Sequence, residues 1–203
     1  MEGCAALFHL FQPMDHENEP LSTELCRFIS KHCLGLINTQ SCQGWNMLHR
    51  AAAYATAKDI EFCVNSGASL DLVISDYSWN PLFVAVTEGN VETYNELALH
   101  HYGPDHVNHT DARGWTLLHL AAEVGNSQLV HLLVKRGSDL DARTPPGMQL
   151  VEDEIRNLSV TALEVAKYYG EEKLNSFIRG LRLAGVDVAI HSQDVYWPCN
   201  DSN

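Results

Sequence analysis

The stretch from Asp111 to Arg143 encodes two short apolar helices that cannot bury themselves, and close copies of it recur along the chain. Thr116 can cap the first helix with its hydroxyl. Leu117, Leu118, Leu120, Ala121 and Ala122 then make that helix apolar almost all round, so it must be packed on both sides, and Gly125 ends it. The second helix carries Leu129, Val130, Leu132, Leu133 and Val134 and closes on Lys135-Arg136 before Gly137, the order a helix C-terminus favours. Such a unit is stable only when neighbouring copies cover its faces.

The copies are present. Gly44-Trp45-Asn46-Met47-Leu48-His49-x-Ala51-Ala52 is followed by Ile60, Phe62, Cys63, Val64 and Gly67-Ala68. Trp79-Asn80-Pro81-Leu82-Phe83-x-Ala85 and Gly89-Asn90 are followed by Val91, Tyr94, Leu97 and Leu99. A more divergent copy reads Thr161-Ala162-Leu163-Glu164-Val165-Ala166, then Gly170. The aligned positions Asn46, Asn80, Thr116 and Thr161 are 34, 36 and 45 residues apart, so the last interval contains an insertion.

Gly114-x-Thr116-Leu117-Leu118-His119-x-Ala121-Ala122, with Gly125, Val130, Leu132, Leu133 and Gly137 behind it, resembles an ankyrin repeat with Leu117 in place of the usual proline. The resemblance covers roughly residues 36 to 184. It implies an all-α ankyrin-repeat solenoid with three clear repeats (about 41–73, 75–108 and 111–143) and one divergent C-terminal repeat (160–184) after an insertion at 144–159. It also implies that Thr116 and His119 serve the hydrogen bonding that joins one repeat to the next. Asn46 replaces the capping threonine and is itself a good cap. Phe83 stands where the family has histidine, which questions the inter-repeat hydrogen bond at that junction.

A solenoid needs caps at its ends. Residues 1–35, with Leu21, Leu25, Phe28, Ile29, Cys33 and Leu34 at helical spacing, are expected to form an N-terminal helical cap or a degenerate repeat. Residues 185–203 form a tail whose aromatic patch, Asp194 to Pro198, is expected to pack back on the last repeat. The insertion carries Pro145-Pro146-Gly147 and Glu152-Asp153-Glu154, and insertions in stacked repeats map to one face, often the binding face.

Charge narrows the partners. With 26 acidic against 13 basic side chains, the net charge of −13 argues against nucleic acid and anionic membranes as ligands. The apolar run from Cys4 to Phe11 follows Glu2 and is too short to span a bilayer, so neither a signal peptide nor a membrane segment is expected. Six cysteines without a short-spaced pair fit reduced thiols in the cytoplasm or nucleus.

Three tryptophans, Trp45, Trp79 and Trp115, hold the same place one residue before a helix cap. In the ankyrin arrangement that place lies near the turn projecting from the concave face, so the resemblance implies an aromatic ladder able to anchor a partner. The alternative for each indole is a lid over its neighbouring turn. Matching the family's variable positions adds Gln43, Arg50, Tyr54, Asp76 and Tyr77 to that face, and Thr87, Glu88, Arg113 and Glu123 further along it. Two functions follow from these residues. One is a binding module or scaffold that recognises a protein partner, with the ladder and Arg113 as anchors and no cofactor. The other is a binder or enzyme for a small apolar molecule, using the same aromatics with Asp76, Glu88 and Arg113 as polar groups. An open strip fits the first; indoles closed over by the insertion or the N-terminal segment fit the second.

Other chemistry is weakly indicated. His100, His101, His106 and His109 cluster around Asp105, but their spacing matches no closed metal site, and no metal is expected. The chain has no nucleophile elbow, phosphate loop or dinucleotide fingerprint, so nothing in the spacing demands catalysis.

Overall fold

A computed structural model describes residues 37–100, 104–146 and 159–187. Among them eight α-helices form four helix-turn-helix pairs: α1 (Met47–Tyr54) with α2 (Ala57–Asn65), α3 (Pro81–Thr87) with α4 (Val91–Leu99), α5 (Leu117–Val124) with α6 (Ser127–Lys135), and α7 (Ala162–Tyr168) with α8 (Glu171–Leu183). A short 3-10 turn, Pro104–Asn108, follows α4. Outside the helices the only ladder pairing among the described residues is a single bridge between Thr110 and Thr116. The expected N-terminal cap, the aromatic patch at Asp194 to Pro198, His101 and most of the insertion lie outside the described residues.

Local chemistry sets the helix starts. Asn80 Oδ1 accepts the Leu82 and Phe83 amides at 3.0 and 3.2 Å, and Pro81 occupies the first helical position, where a missing N–H costs nothing. Asn126 accepts the Gln128 and Leu129 amides in the same way. Thr161 and Glu164 form a reciprocal capping box, with the Thr161 amide donating to Glu164 at 2.7 Å. The first helices α1, α3, α5 and α7 stack in sequence, and the second helices stack as α2 on α4 and α6 on α8. One continuous core results, running from Leu48 and Ile60 through Leu82, Leu97, Leu118 and Leu133 to Val165 and Phe177.

The junction between the second and third pairs is built differently. There α4 and α6 are linked through Arg136, whose Nη2 donates to Asn95 Oδ1 at 3.2 Å and whose guanidinium lies 5.0 Å from the Tyr94 ring centre. Burial holds the Tyr94 phenol above its ordinary pKa, so this ring stays neutral.

The turns between pairs stand in register. Within each, an amide donates to the carbonyl of the residue just before the helix cap: Ser41 to Trp45, Ile74 to Trp79, Asp111 to Trp115 and Thr144 to Val160, at 2.8 to 3.0 Å. Adjacent turns are tied by Ser75 N–H to the Gln43 carbonyl and Ala112 N–H to the Tyr77 carbonyl, both at 2.9 Å. The turn starts are spaced 33, 37 and 33 residues apart, so the long third interval between caps resolves into a regular start at Thr144 and a lengthened turn tip. The base of the insertion therefore stands in the same row as the tryptophan turns. Gly44 and Gly114 take φ of 83° and 77° at the tips; the second turn is one residue longer and places Ser78 at φ 56°, a conformation that is uncommon without glycine.

α8 crosses close over α6 at Gly180. A Cβ there would lie 2.6 Å from Val130 Cβ and 2.7 Å from the Ser127 carbonyl oxygen. Helix propensity alone would favour alanine over glycine by about 1 kcal/mol, but the clash is with backbone and a β-branched stem, and overpacking costs about 1–3 kcal/mol. Gly180→Ala is therefore expected to lower stability in a thermal or urea melt. An unchanged or higher melting temperature would show that α8 is free to move away from α6.

Candidate functional site

The row of turns and the first helices behind it carry every side chain named from the sequence for binding, and the structure divides those residues into three groups. Gln43, Tyr54, Asp76 and Glu88 are exposed, Tyr54 to 45%. Trp45, Arg50, Tyr77, Trp79, Thr87 and Glu123 are half-buried. Trp115 and Arg113 retain only 1% and 4% exposure.

The last pair departs from the sequence expectation. Asp111, at the start of the third turn, faces Arg113 and accepts its Nε and Nη2 on Oδ2 at 2.9 and 2.7 Å. The same oxygen accepts Trp79 Nε1 from the preceding repeat at 3.0 Å. The other oxygen accepts the Arg113 and Trp115 amides at 2.9 and 3.0 Å. Five donors thus satisfy one carboxylate whose side chain is fully buried, the condition under which a buried charge is tolerated. The Arg113 guanidinium lies 4.4, 5.5 and 4.9 Å from the ring centres of Tyr77, Trp79 and Trp115. An anchor presented to a partner was expected here. Instead Arg113 fills the aromatic cleft and its charge is matched inside the protein, so Arg113 and Trp115 support the face from beneath.

Asp111 had been singled out only as the start of a repeat. Its importance was visible in one weak signal: the same place holds Ser41 and Thr144 in other turns. Ser41 Oγ accepts the Trp45 amide at 3.2 Å and Thr144 Oγ1 the Val160 amide at 3.0 Å. In the third turn this acceptor also reaches across to the preceding repeat, through Trp79 Nε1.

The joints on either side use histidine. His119 Nε2 donates to the Val160 carbonyl at 3.0 Å, and its Nδ1 faces Thr116 Oγ1 at 2.7 Å. His49 Nε2 donates to the Trp79 carbonyl at 3.1 Å, linking the first repeat to the second. Both rings are buried and neutral. Burial pushes His49 down to about 4 and moves His119 in the same direction. A neutral ring that donates through Nε2 has a bare Nδ1. Thr116 can turn its hydroxyl proton toward that nitrogen, whereas Asn46 sets Oδ1 against it at 2.7 Å and leaves its own Nδ2 buried without a partner. Asn46 does accept the His49 amide at 2.9 Å as a cap, so the replacement preserves the cap and weakens the joint.

Phe83, where the second joint would have its histidine, has no polar side-chain atom and is buried. Trp79 and Asp111 take over that connection. Of the remaining named residues, Thr87 Oγ1 donates to its own backbone at Val84, and Glu123 accepts the Tyr169 hydroxyl at 3.0 Å. His100 pairs with Glu96 at 3.0 Å. Among the described residues no three metal-ligating side chains converge, and no helix is long and apolar enough to cross a membrane.

A family model described as ankyrin repeats, in three copies, matches residues 60–144. The chain carries ankyrin repeats. Its fold is accordingly an all-α ankyrin solenoid. Ankyrin repeat and SAM domain-containing protein 6 of Mus musculus is 32% identical over 115 residues, which is 57% of this chain and 11% of the mouse protein. The chain thus spans a small part of that relative's length. Ankyrin repeats generally mediate protein–protein interaction.

The neutral histidines make the ankyrin array acid-sensitive. Both folded values lie below the ordinary 6.5, so between pH 6.5 and about 4 the unfolded chain takes up protons that the folded chain refuses. Stability is full above 6.5 and falls as the pH drops through that window. Proton NMR is expected to show a His49 ring signal that does not titrate between pH 8 and 5 and a His119 ring signal whose midpoint lies below the ordinary 6.5. Titration of either with a midpoint near 6.5 would contradict the buried neutral joints.

Proposed function

We propose that the protein is an ankyrin-repeat binding module that recognises a protein partner across the row of turns and the first helices. The observation that carries this reading is the combination of an exposed strip with a rigid base. Gln43, Asp76, Tyr54 and Glu88 reach solvent, while Trp115, Arg113 and Asp111 lock the turns behind them. Interfaces of this kind gain affinity by avoiding ordering costs on binding.

The competing reading, an apolar small-molecule pocket between the indoles, has less support. The space framed by Tyr77, Trp79 and Trp115 already holds the guanidinium of Arg113. Displacing it would leave the buried Asp111 carboxylate with two donors fewer, a penalty of several kcal/mol.

A capture from the lysate of the native cell tests the proposal, comparing the wild type with a variant carrying alanine at Gln43, Tyr54, Asp76 and Glu88. These side chains are exposed, so the variant should melt near the wild-type temperature. Proteins retained by the wild type and lost from the variant are expected. Identical retention by both would place the interface elsewhere, and retention of a small molecule without protein would favour the competing reading.

A further inference from the structure

Arg113, in the third turn, and Arg50, on α1, each stack on the tryptophan that precedes a helix cap, and only one of them has a counter-ion among the described residues. Arg113 lies 4.9 Å from the centre of Trp115 and donates twice to Asp111. Arg50 lies 4.7 Å from the centre of Trp45, and among the described residues no carboxylate pairs with it. Where Asp111 stands in the third turn, the first has Ser41, whose hydroxyl is occupied by the Gln43 and Trp45 amides at 3.3 and 3.2 Å. Arg50 is half-buried, and its Nε is sealed from solvent without an acceptor. Its two Nη atoms are not sealed, so an incoming group must approach along that edge. The indole holds the planar head in place, which reduces the entropy lost when a ligand binds.

We propose that the Nη edge of Arg50 receives a carboxylate from an aspartate or glutamate side chain of the protein partner. This deepens the reading above and rests on it. The acceptor is a carboxylate because a guanidinium edge offers two parallel N–H groups that match its two oxygens. Arg113 shows an arginine–carboxylate pair completed within the chain, there through Nε and Nη2 onto a single oxygen of Asp111. The exposed residues closest in sequence, Gln43 and Tyr54, are uncharged, and none of the carboxylates on the same face, Asp76 and Glu88 included, forms an ion pair with Arg50. The net charge of −13 disfavours a broadly acidic partner, so one acidic side chain in an otherwise uncharged or basic segment fits best. The position would then discriminate between partners as well as anchor them.

The test uses sodium acetate as the probe and arginine side-chain NMR on the whole protein, with sodium chloride at matched ionic strength as the reference. Acetate is expected to shift the Arg50 guanidinium signals in a saturable way and at least about threefold more than those of the exposed Arg179 and Arg182, because its head is pre-oriented. Arg113, already paired, is expected to stay unmoved. The Trp45 indole signal should respond in the wild type and not in Arg50→Gln. An Arg50 response no larger than that of Arg179 and Arg182 overturns the proposal. So does a Trp45 shift that persists in Arg50→Gln. The source of the carboxylate is then settled with a captured partner, by replacing its acidic contact residue with the amide and, separately, by amidating its C-terminus. Loss of at least tenfold in affinity on the side-chain change, in the wild type and not in Arg50→Gln, is the expected result. Loss only on C-terminal amidation overturns the side-chain assignment. Failure with acetate alongside a captured partner removes the carboxylate contact and leaves the binding-module reading standing; failure of capture alone removes that reading.

Discussion

Each repeat depends on a polar joint buried where its turn meets the next. Two short helices cannot cover their own apolar faces, so the array exists only if neighbouring units are held in register. Burial of Leu48, Leu82, Leu118 and Val165 supplies the attraction, but apolar contact is non-directional and does not fix the spacing of successive turns. Hydrogen bonds between repeats do. His49 to Trp79 and His119 to Val160 provide them at the first and third joints. At the second, where Phe83 cannot, Asp111 gathers Trp79, Arg113 and two backbone amides onto one carboxylate.

This substitution changes what the aromatic row can do. An indole that donates to a buried carboxylate is fixed in orientation, and a guanidinium among three rings is held on both its polar and its flat faces. The third turn is therefore rigid and largely internal. The first turn, with Ser41 in place of an acid, keeps Arg50 and Trp45 half-open. Among the described residues the face is thus uneven: Arg50, in the first repeat, pairs with no carboxylate, while Arg113, in the third, is matched internally.

The architecture was legible in the sequence because it rests on local signals. Capping residues, left-handed glycines and apolar spacing each act over a few residues, and the motif around Thr116 and His119 specifies both a cap and a joint. The repetition of tryptophan was also legible, but not the fate of each ring. Trp115 is covered by the guanidinium of Arg113, which lies also over Tyr77 of the preceding turn, and neither contact follows from spacing. Arg113 read as a surface anchor because arginine on a solvated face is the ordinary case. Its reversal depends on Asp111 two residues earlier, a relation that appears only once the turn folds back. The 45-residue interval read as a gap between repeats, whereas the pairing of Thr144 with Val160 sets it within the fourth turn.

The central claim is that the second joint is carried by Asp111 through Trp79 in place of histidine. A double-mutant cycle in urea, with Trp79→Phe, Asp111→Asn and the pair, measures that link directly. Phenylalanine keeps the ring and removes the indole N–H; asparagine keeps the shape and removes the charge. The account predicts a coupling energy of about 1 kcal/mol or more, as found for residues in one hydrogen-bonded network. Effects that add to within about 0.3–0.5 kcal/mol would contradict it, and would leave that joint to apolar packing and to other links such as the Ala112 to Tyr77 backbone bond.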